Sequence, residues 1–183
     1  MIIKSVFADG YKNLSDVDIR PHERMNIFCG DNAQGKTNQI EAVWLMTGCR
    51  SFRGTRDRDF IGFEKEKASI RLSFQDSFRS QDISFEVRKN NIREKNIALN
   101  GVKVPLLSRL FGSLKCVVFT PEDLFIAKGS PDNRRSFVDL SSSQLKKSFV
   151  YALNKYENLL SQRNALIKKI NFTGSGSADD LDI

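Results

Sequence analysis

The chain has 183 residues, 40% hydrophobic and 28% charged, with 29 Lys and Arg against 22 Asp and Glu, a formal net charge of +7. That balance fits a globular chain with a buried core and excludes a disordered tail, while the positive surplus points to phosphate-rich or other acidic partners. A single histidine, His22, excludes a His-based triad or a two-histidine zinc site, and Cys29, Cys49 and Cys116 form no CxxC pair, which predicts free thiols in a reducing, cytoplasmic protein.

In chain order, Ile2, Ile3 and Val6, then Val17 and Ile19, then Met25, Ile27 and Phe28 are short apolar clusters broken by turn residues, which predicts three neighbouring strands. Residues 36–47 carry Ile40, Val43, Trp44 and Met46 at helical spacing and stop at Gly48, so a first helix is predicted there, with Trp44 in the core. Ile70, Leu72 and Phe74, then Ile83, Phe85 and Val87, alternate with polar residues as antiparallel strands with one wet face do. Asn100-Gly101, flanked by Ile97, Leu99 and Val102, predicts a two-residue hairpin, and residues 115–119 a further buried strand ending at Thr120-Pro121. The front of the chain therefore reads as α/β, a mixed or antiparallel sheet around one helix.

From Pro131 the apolar positions Phe137, Leu140, Leu145, Phe149, Leu153, Tyr156 and Leu160 lie mostly three to five apart, which predicts one long amphipathic helix with Ser130 as N-cap. Residues 128–169 hold a net charge of +6, so this helix is the basic part. Gly174-Ser175-Gly176-Ser177 and the acids Asp179, Asp180 and Asp182 predict a flexible linker or end. The expected division is a nucleotide-binding head over 1–130, a helical arm over 131–171 and a linker over 172–183. No apolar run approaches the ~20 residues of a membrane helix.

One motif carries sharp chemistry. Gly30-Asp31-Asn32-Ala33-Gln34-Gly35-Lys36-Thr37 matches G-x-x-x-x-G-K-[ST] between a predicted strand and a predicted helix. Its glycines let the backbone wrap a phosphate, its amides donate, Lys36 neutralises the β and γ phosphates, and the Thr37 hydroxyl is placed to ligate Mg²⁺. ATP or GTP with Mg²⁺ is implied. Hydrolysis also needs a Walker B acid at a strand end, and residues 116–119 run instead into Thr120-Pro121-Glu122-Asp123, a proline turn. A GTPase reading of Asp59-Phe60-Ile61-Gly62 and Asn154-Lys155-Tyr156-Glu157 fails, because Asp59 follows no apolar strand and Glu157 replaces the guanine-binding aspartate.

Together these residues resemble the RecF family of recombination mediators, relatives of the SMC ABC-type ATPases. The resemblance rests on Tyr11-Lys12-Asn13, on the phosphate loop continued by Asn38-Gln39-Ile40-Glu41-Ala42, and on Gly48-Cys49-Arg50-Ser51-Phe52-Arg53. Further along it rests on Phe119-Thr120-Pro121-Glu122-Asp123-Leu124, Lys128-Gly129-Ser130-Pro131, Arg134-Arg135-Ser136-Phe137-Val138-Asp139 and Gln162-Arg163-Asn164-Ala165-Leu166. It implies the N-terminal part of a P-loop ABC-type ATPase head followed by the start of a lever domain. It also implies ATP with Mg²⁺ as cofactor, nucleotide contacts from Lys12, Asn13 and Asn38 beside residues 30–37, and an ATP-dependent homodimer. The implied partners are single- and double-stranded DNA, RecO- and RecR-type mediators, and RecA, loaded at gaps during replication, recombinational repair and the SOS response. Family members carry the signature motif, Walker B, D-loop and switch in their back half, so this chain is expected to bind ATP without completing the hydrolysis site.

Two basic groups remain open. Arg50 and Arg53 follow Gly48 where they face nucleotide or DNA phosphates, although Arg56 and Arg58 alternate with Asp57 and Asp59 as a self-paired loop would. Arg134, Arg135, Lys146 and Lys147 form either a DNA-facing stripe or a solvated helix face. The competing readings are a free-standing P-loop kinase or NTPase and a non-catalytic basic binding module.

Overall fold

A computed structural model describes residues 1–173. Six strands form one antiparallel sheet: β1 (Ile2–Asp9), β2 (Val17–Ile19), β3 (Lys67–Gln75), β4 (Ser80–Arg88), β5 (Asn91–Leu99) and β6 (Val102–Val104), in the order β2-β1-β3-β4-β5-β6. The register opposes Val6 to Leu72, Ala8 to Ile70, Ile70 to Phe85 and Phe85 to Ile97. Because side chains alternate along a strand, this lines the apolar set on one face, where Val6, Ala8, Ile70, Leu72, Phe74, Ile83, Phe85, Val87 and Ile97 are buried. Each large one contributes about 1.5–3 kcal/mol on leaving water.

Helix α1 (Lys36–Leu45) covers that face with Ala42 and Leu45. Trp44 and Met46 are buried and Val43 packs against the core, as the spacing predicts, but Ile40 is exposed and Glu41 takes a buried position. It ends where Thr47 donates its hydroxyl to the Trp44 carbonyl at 2.7 Å and Gly48 turns left-handed at φ +91°. A Cβ on Gly48 would lie 2.7 Å from the Leu107 carbonyl oxygen, so only glycine allows that approach. The hairpin at Asn100-Gly101 forms as its sequence predicts, with φ of +52° and +76°, the two left-handed residues a type I′ turn requires.

Three elements differ from the sequence expectation. Met25, Ile27 and Phe28 form no strand, and Ile27 is 80% exposed. β1 is flanked by β2 and β3, and this third run pairs with none of the six strands. Residues 115–119 likewise form no strand, and Val117 is 95% exposed. The single long helix is two, α3 (Pro131–Leu145) and α4 (Lys147–Thr173), after a four-residue helix α2 (Phe125–Lys128). The break falls at Lys146, in extended conformation, after the weak helix formers Ser141-Ser142-Ser143. There the buried Gln144 accepts the Cys116 amide at 2.9 Å, which fixes the end of α3 against residues 115–118. The Gly174-Ser175-Gly176-Ser177 stretch and the acidic end lie outside the described residues. No helix among the described residues is long and apolar enough to cross a membrane.

Candidate nucleotide site

The phosphate loop leads directly into α1. Gly35 caps the helix in left-handed conformation, no side chain caps the N-terminus, and the first turn holds no acid. The first-turn amides therefore point outward with the positive end of the helix dipole behind them, which suits an anion. Lys36 curls back over the loop, donating to the carbonyls of Gly30 at 2.7 Å and Asp31 at 2.6 Å. Its ammonium thus lies over the loop that would enclose a phosphate. Thr37 is exposed in the first helical turn, and Asp31, Asn32, Ala33 and Gln34 are exposed along the loop. The residues present fit a nucleotide phosphate chain, and the Thr37 hydroxyl is the group that would hold Mg²⁺ there.

Asn13 and Asn38 brace the loop. Arg53 Nη1 donates to Asn38 Oδ1 at 3.0 Å, Asn38 Nδ2 to Asn13 Oδ1 at 2.7 Å, and Asn13 Nδ2 to the Ala33 carbonyl at 2.6 Å. This relay runs from the arginine loop through α1 to the loop tip, where Ala33 holds a φ of +66° that costs an L-residue energy. Gly35 is packed beneath it: a Cβ there would meet Asn13 Oδ1 at 2.7 Å and Leu14 Cδ2 at 2.8 Å.

Lys12 is turned inward. Its ammonium pairs with the wholly buried Glu41 and donates to Thr55 Oγ1 at 3.0 Å. Ser51 Oγ donates to the other Glu41 oxygen and accepts the amides of Arg53 at 3.1 Å and Thr55 at 3.2 Å. Beside them the Tyr11 hydroxyl is buried without a hydrogen-bond partner; burial first, and the Glu41 carboxyl second, push its phenol well above the ordinary range. Apolar spacing assigns no role to Glu41, Ser51 or Thr55, although Glu41 and Ser51 lie in segments that carry the family resemblance. The available signal was an acid within one turn of Ala42 and Leu45, where a buried carboxyl demands a partner.

The structure brings Arg53 to the loop and leaves the other basic candidates apart. Arg50 is exposed, and its carbonyl accepts the Trp44 indole at 2.8 Å. Asp57 pairs with Lys95 at 2.5 Å and Asp59 with Arg58 at 3.4 Å. On α3, Arg134 donates to the Gly129 carbonyl at 3.1 Å and Arg135 pairs with Asp132. Lys146 and Lys147 are exposed at the junction of α3 and α4. No group of three or more His, Cys, Asp and Glu suited to a metal occurs among the described residues.

No family model matches the chain. The DNA replication and repair protein RecF of Agathobacter rectalis is 41% identical over 170 residues, 93% of this chain and 46% of that protein. RecF of Alkaliphilus oremlandii is 37% identical over 168 residues, 92% of this chain and again 46% of that protein. A solved structure described as the recombination mediator protein RecF-ATP in the RecFOR pathway is 35% identical with a TM-score of 0.88, covering 98% of this chain and 48% of that one. A second, described as RecF-ATPrS, gives 33% identity and a TM-score of 0.83 over 95% of this chain and 47% of that one. The chain thus spans about half the length of the relatives it matches. By sequence and by fold alike, it resembles the N-terminal half of the RecF DNA replication and repair proteins.

Proposed function

We propose that the chain binds Mg²⁺-ATP through residues 30–37 as one half of an ABC-type ATPase head of RecF type. The observation that carries this reading is the uncapped N-terminus of α1 behind a complete phosphate loop, with the Lys36 ammonium lying over it. The similarity to a structure described as RecF-ATP supports the choice of ATP. When bound, the triphosphate supplies a transferable γ-phosphoryl group and Mg²⁺ screens its charge. The chain's own residues do the holding: loop amides and the α1 N-terminus donate to phosphate oxygens, Lys36 moves from the loop carbonyls to the β and γ phosphates, and Thr37 Oγ1 takes a Mg²⁺ position. Residues 116–119 form no strand and lead into the Thr120-Pro121 turn, so they supply no Walker B acid, and the expected outcome is binding without turnover by this chain alone.

In the longer RecF-type protein the head serves DNA repair at gaps, on single- and double-stranded DNA in the cytoplasm, with RecO- and RecR-type mediators and RecA. Arg50, Arg53, Arg134, Arg135, Lys146 and Lys147 are the phosphate-contact candidates for DNA. The test is titration of Mg²⁺-ATP and Mg²⁺-GTP into the chain alongside an assay of phosphate release. Saturable ATP binding, weaker GTP binding and no release are expected; sustained release, or a preference for GTP, would overturn the reading in favour of a free-standing NTPase.

A further inference from the structure

We propose that Glu41 is a positioning residue of the nucleotide site, and that Lys12 acts on nucleotide through Glu41 instead of touching the γ-phosphate. The inference rests on the nucleotide-binding reading above and assigns the division of labour around that site. Glu41 is wholly buried on α1, five residues after Lys36, and both of its carboxyl oxygens are taken by different segments. One receives the Lys12 ammonium, from the turn after β1; the other receives the Ser51 hydroxyl, from the loop after α1.

Two segments, 29 and 10 residues away in the chain, are therefore tied to one acid on α1. A buried carboxyl without these donors would be strongly disfavoured, so the two segments are held where the donors reach. The consequence at the loop is geometric. Ser51 accepts the amides of Arg53 and Thr55, which folds residues 51–55 around its hydroxyl. Lys12 fastens the same loop through Thr55. Arg53, inside that fold, is thereby set against Asn38, from which the relay through Asn13 reaches the Ala33 carbonyl. Lys12, only 13% exposed, is spent on this framework.

The experiment compares Lys12→Met, Glu41→Gln, the double variant, Lys12→Arg and Ser51→Ala in the 183-residue chain. Equilibrium affinity for Mg²⁺-ATP and Mg²⁺-ADP is read well below each variant's melting temperature, with hydrogen exchange of residues 31–37 and 50–56 recorded without nucleotide. The expected result is that Lys12→Met and Glu41→Gln each weaken ATP and ADP by the same factor, about tenfold. The double variant is then no worse than either single, Lys12→Arg recovers most of the loss, and exchange in both segments rises. Ser51→Ala, which leaves the ion pair in place, shows the same pattern at smaller size and serves if Glu41→Gln does not fold. Loss of ATP but not ADP affinity in Lys12→Met, persisting in the Glu41→Gln background, would overturn the proposal by making Lys12 a direct γ-phosphate contact. Unchanged exchange in Glu41→Gln or Ser51→Ala would overturn it too, even in a chain that binds no nucleotide, an outcome that would refute only the ATP reading.

Discussion

Asn13 donates its side-chain amide to the carbonyl of Ala33 at 2.6 Å, joining the turn after β1 to the tip of the phosphate loop. Ala33 is held left-handed, which costs a non-glycine residue about 1 kcal/mol, so an external bond is needed to keep it there. Asn13→Ala should weaken Mg²⁺-ATP binding by about tenfold, one hydrogen bond's worth, with a small change in melting temperature. Asn13→Asp should be worse, since it removes the donor and sets a negative charge beside the phosphates. Titration of the two variants checks the order, and equal affinities to the parent would contradict it.

Gly35 is irreplaceable for two separate reasons, its φ of +87° and the 2.7 Å a Cβ would leave to Asn13 Oδ1. Gly35→Ala should lower unfolding stability by about 1–2 kcal/mol in urea and abolish nucleotide binding, because the added methyl displaces the Asn13 side chain that braces the loop.

The three thiols should separate by reactivity. Burial pushes Cys49 and Cys116 up to about 11, so both stay protonated and unreactive near neutral pH, whereas Cys29 is exposed immediately before Gly30. A chromogenic disulfide at about pH 8 should label one thiol quickly. Cys29→Ser should remove that phase, and Mg²⁺-ATP should slow it. Two fast thiols would contradict the packing around α1.

Acid should unfold the sheet through named carboxylates. Asp76 lies below its ordinary value because its oxygens accept the amides of Phe78 at 2.7 Å and Arg79 at 2.8 Å and the side chain of Gln81 at 2.5 Å. At Glu86, burial raises the carboxyl, but Arg88 at 2.9 Å and Lys67 at 3.4 Å outweigh it and the net shift is downward. With folded values below unfolded ones, the unfolded chain binds protons first. The stabilisation is therefore complete above the ordinary carboxylate range near about pH 4 and is lost as pH falls through the lowered values. Asp76→Asn should cost melting temperature at neutral pH, and its difference from the parent should shrink as pH falls through the lowered value of Asp76.

Phe85 anchors the sheet core, opposite Ile70 and Ile97 and edge-on to Phe60 at 6.1 Å between centroids. Phe85→Ala should cost about 3–5 kcal/mol in denaturant unfolding without altering which nucleotide is bound. A loss under about 1 kcal/mol would mean that the sheet face is not the core.

Much of the sheet was legible because β3 and β4 alternate strictly and Asn100-Gly101 admits few other conformations. The runs at residues 25–28 and 115–119 misled for one reason: alternation reports an apolar face but not whether a partner strand lies alongside. The break at Lys146 was hidden because the apolar spacing continues across it. At the site, residues 30–37 were legible from spacing alone. The Glu41 cluster was not, since its segments meet only through the fold, and the inward turn of Lys12 follows from a buried acid that apolar spacing does not reveal.

The central claim, a working phosphate loop on half a head, is tested most directly by titrating Mg²⁺-ATP into the chain and into Lys36→Ala side by side. The account predicts saturable binding by the parent and its loss in the variant, with unchanged melting temperature, because Lys36 touches only loop carbonyls. Equal binding by both would contradict it.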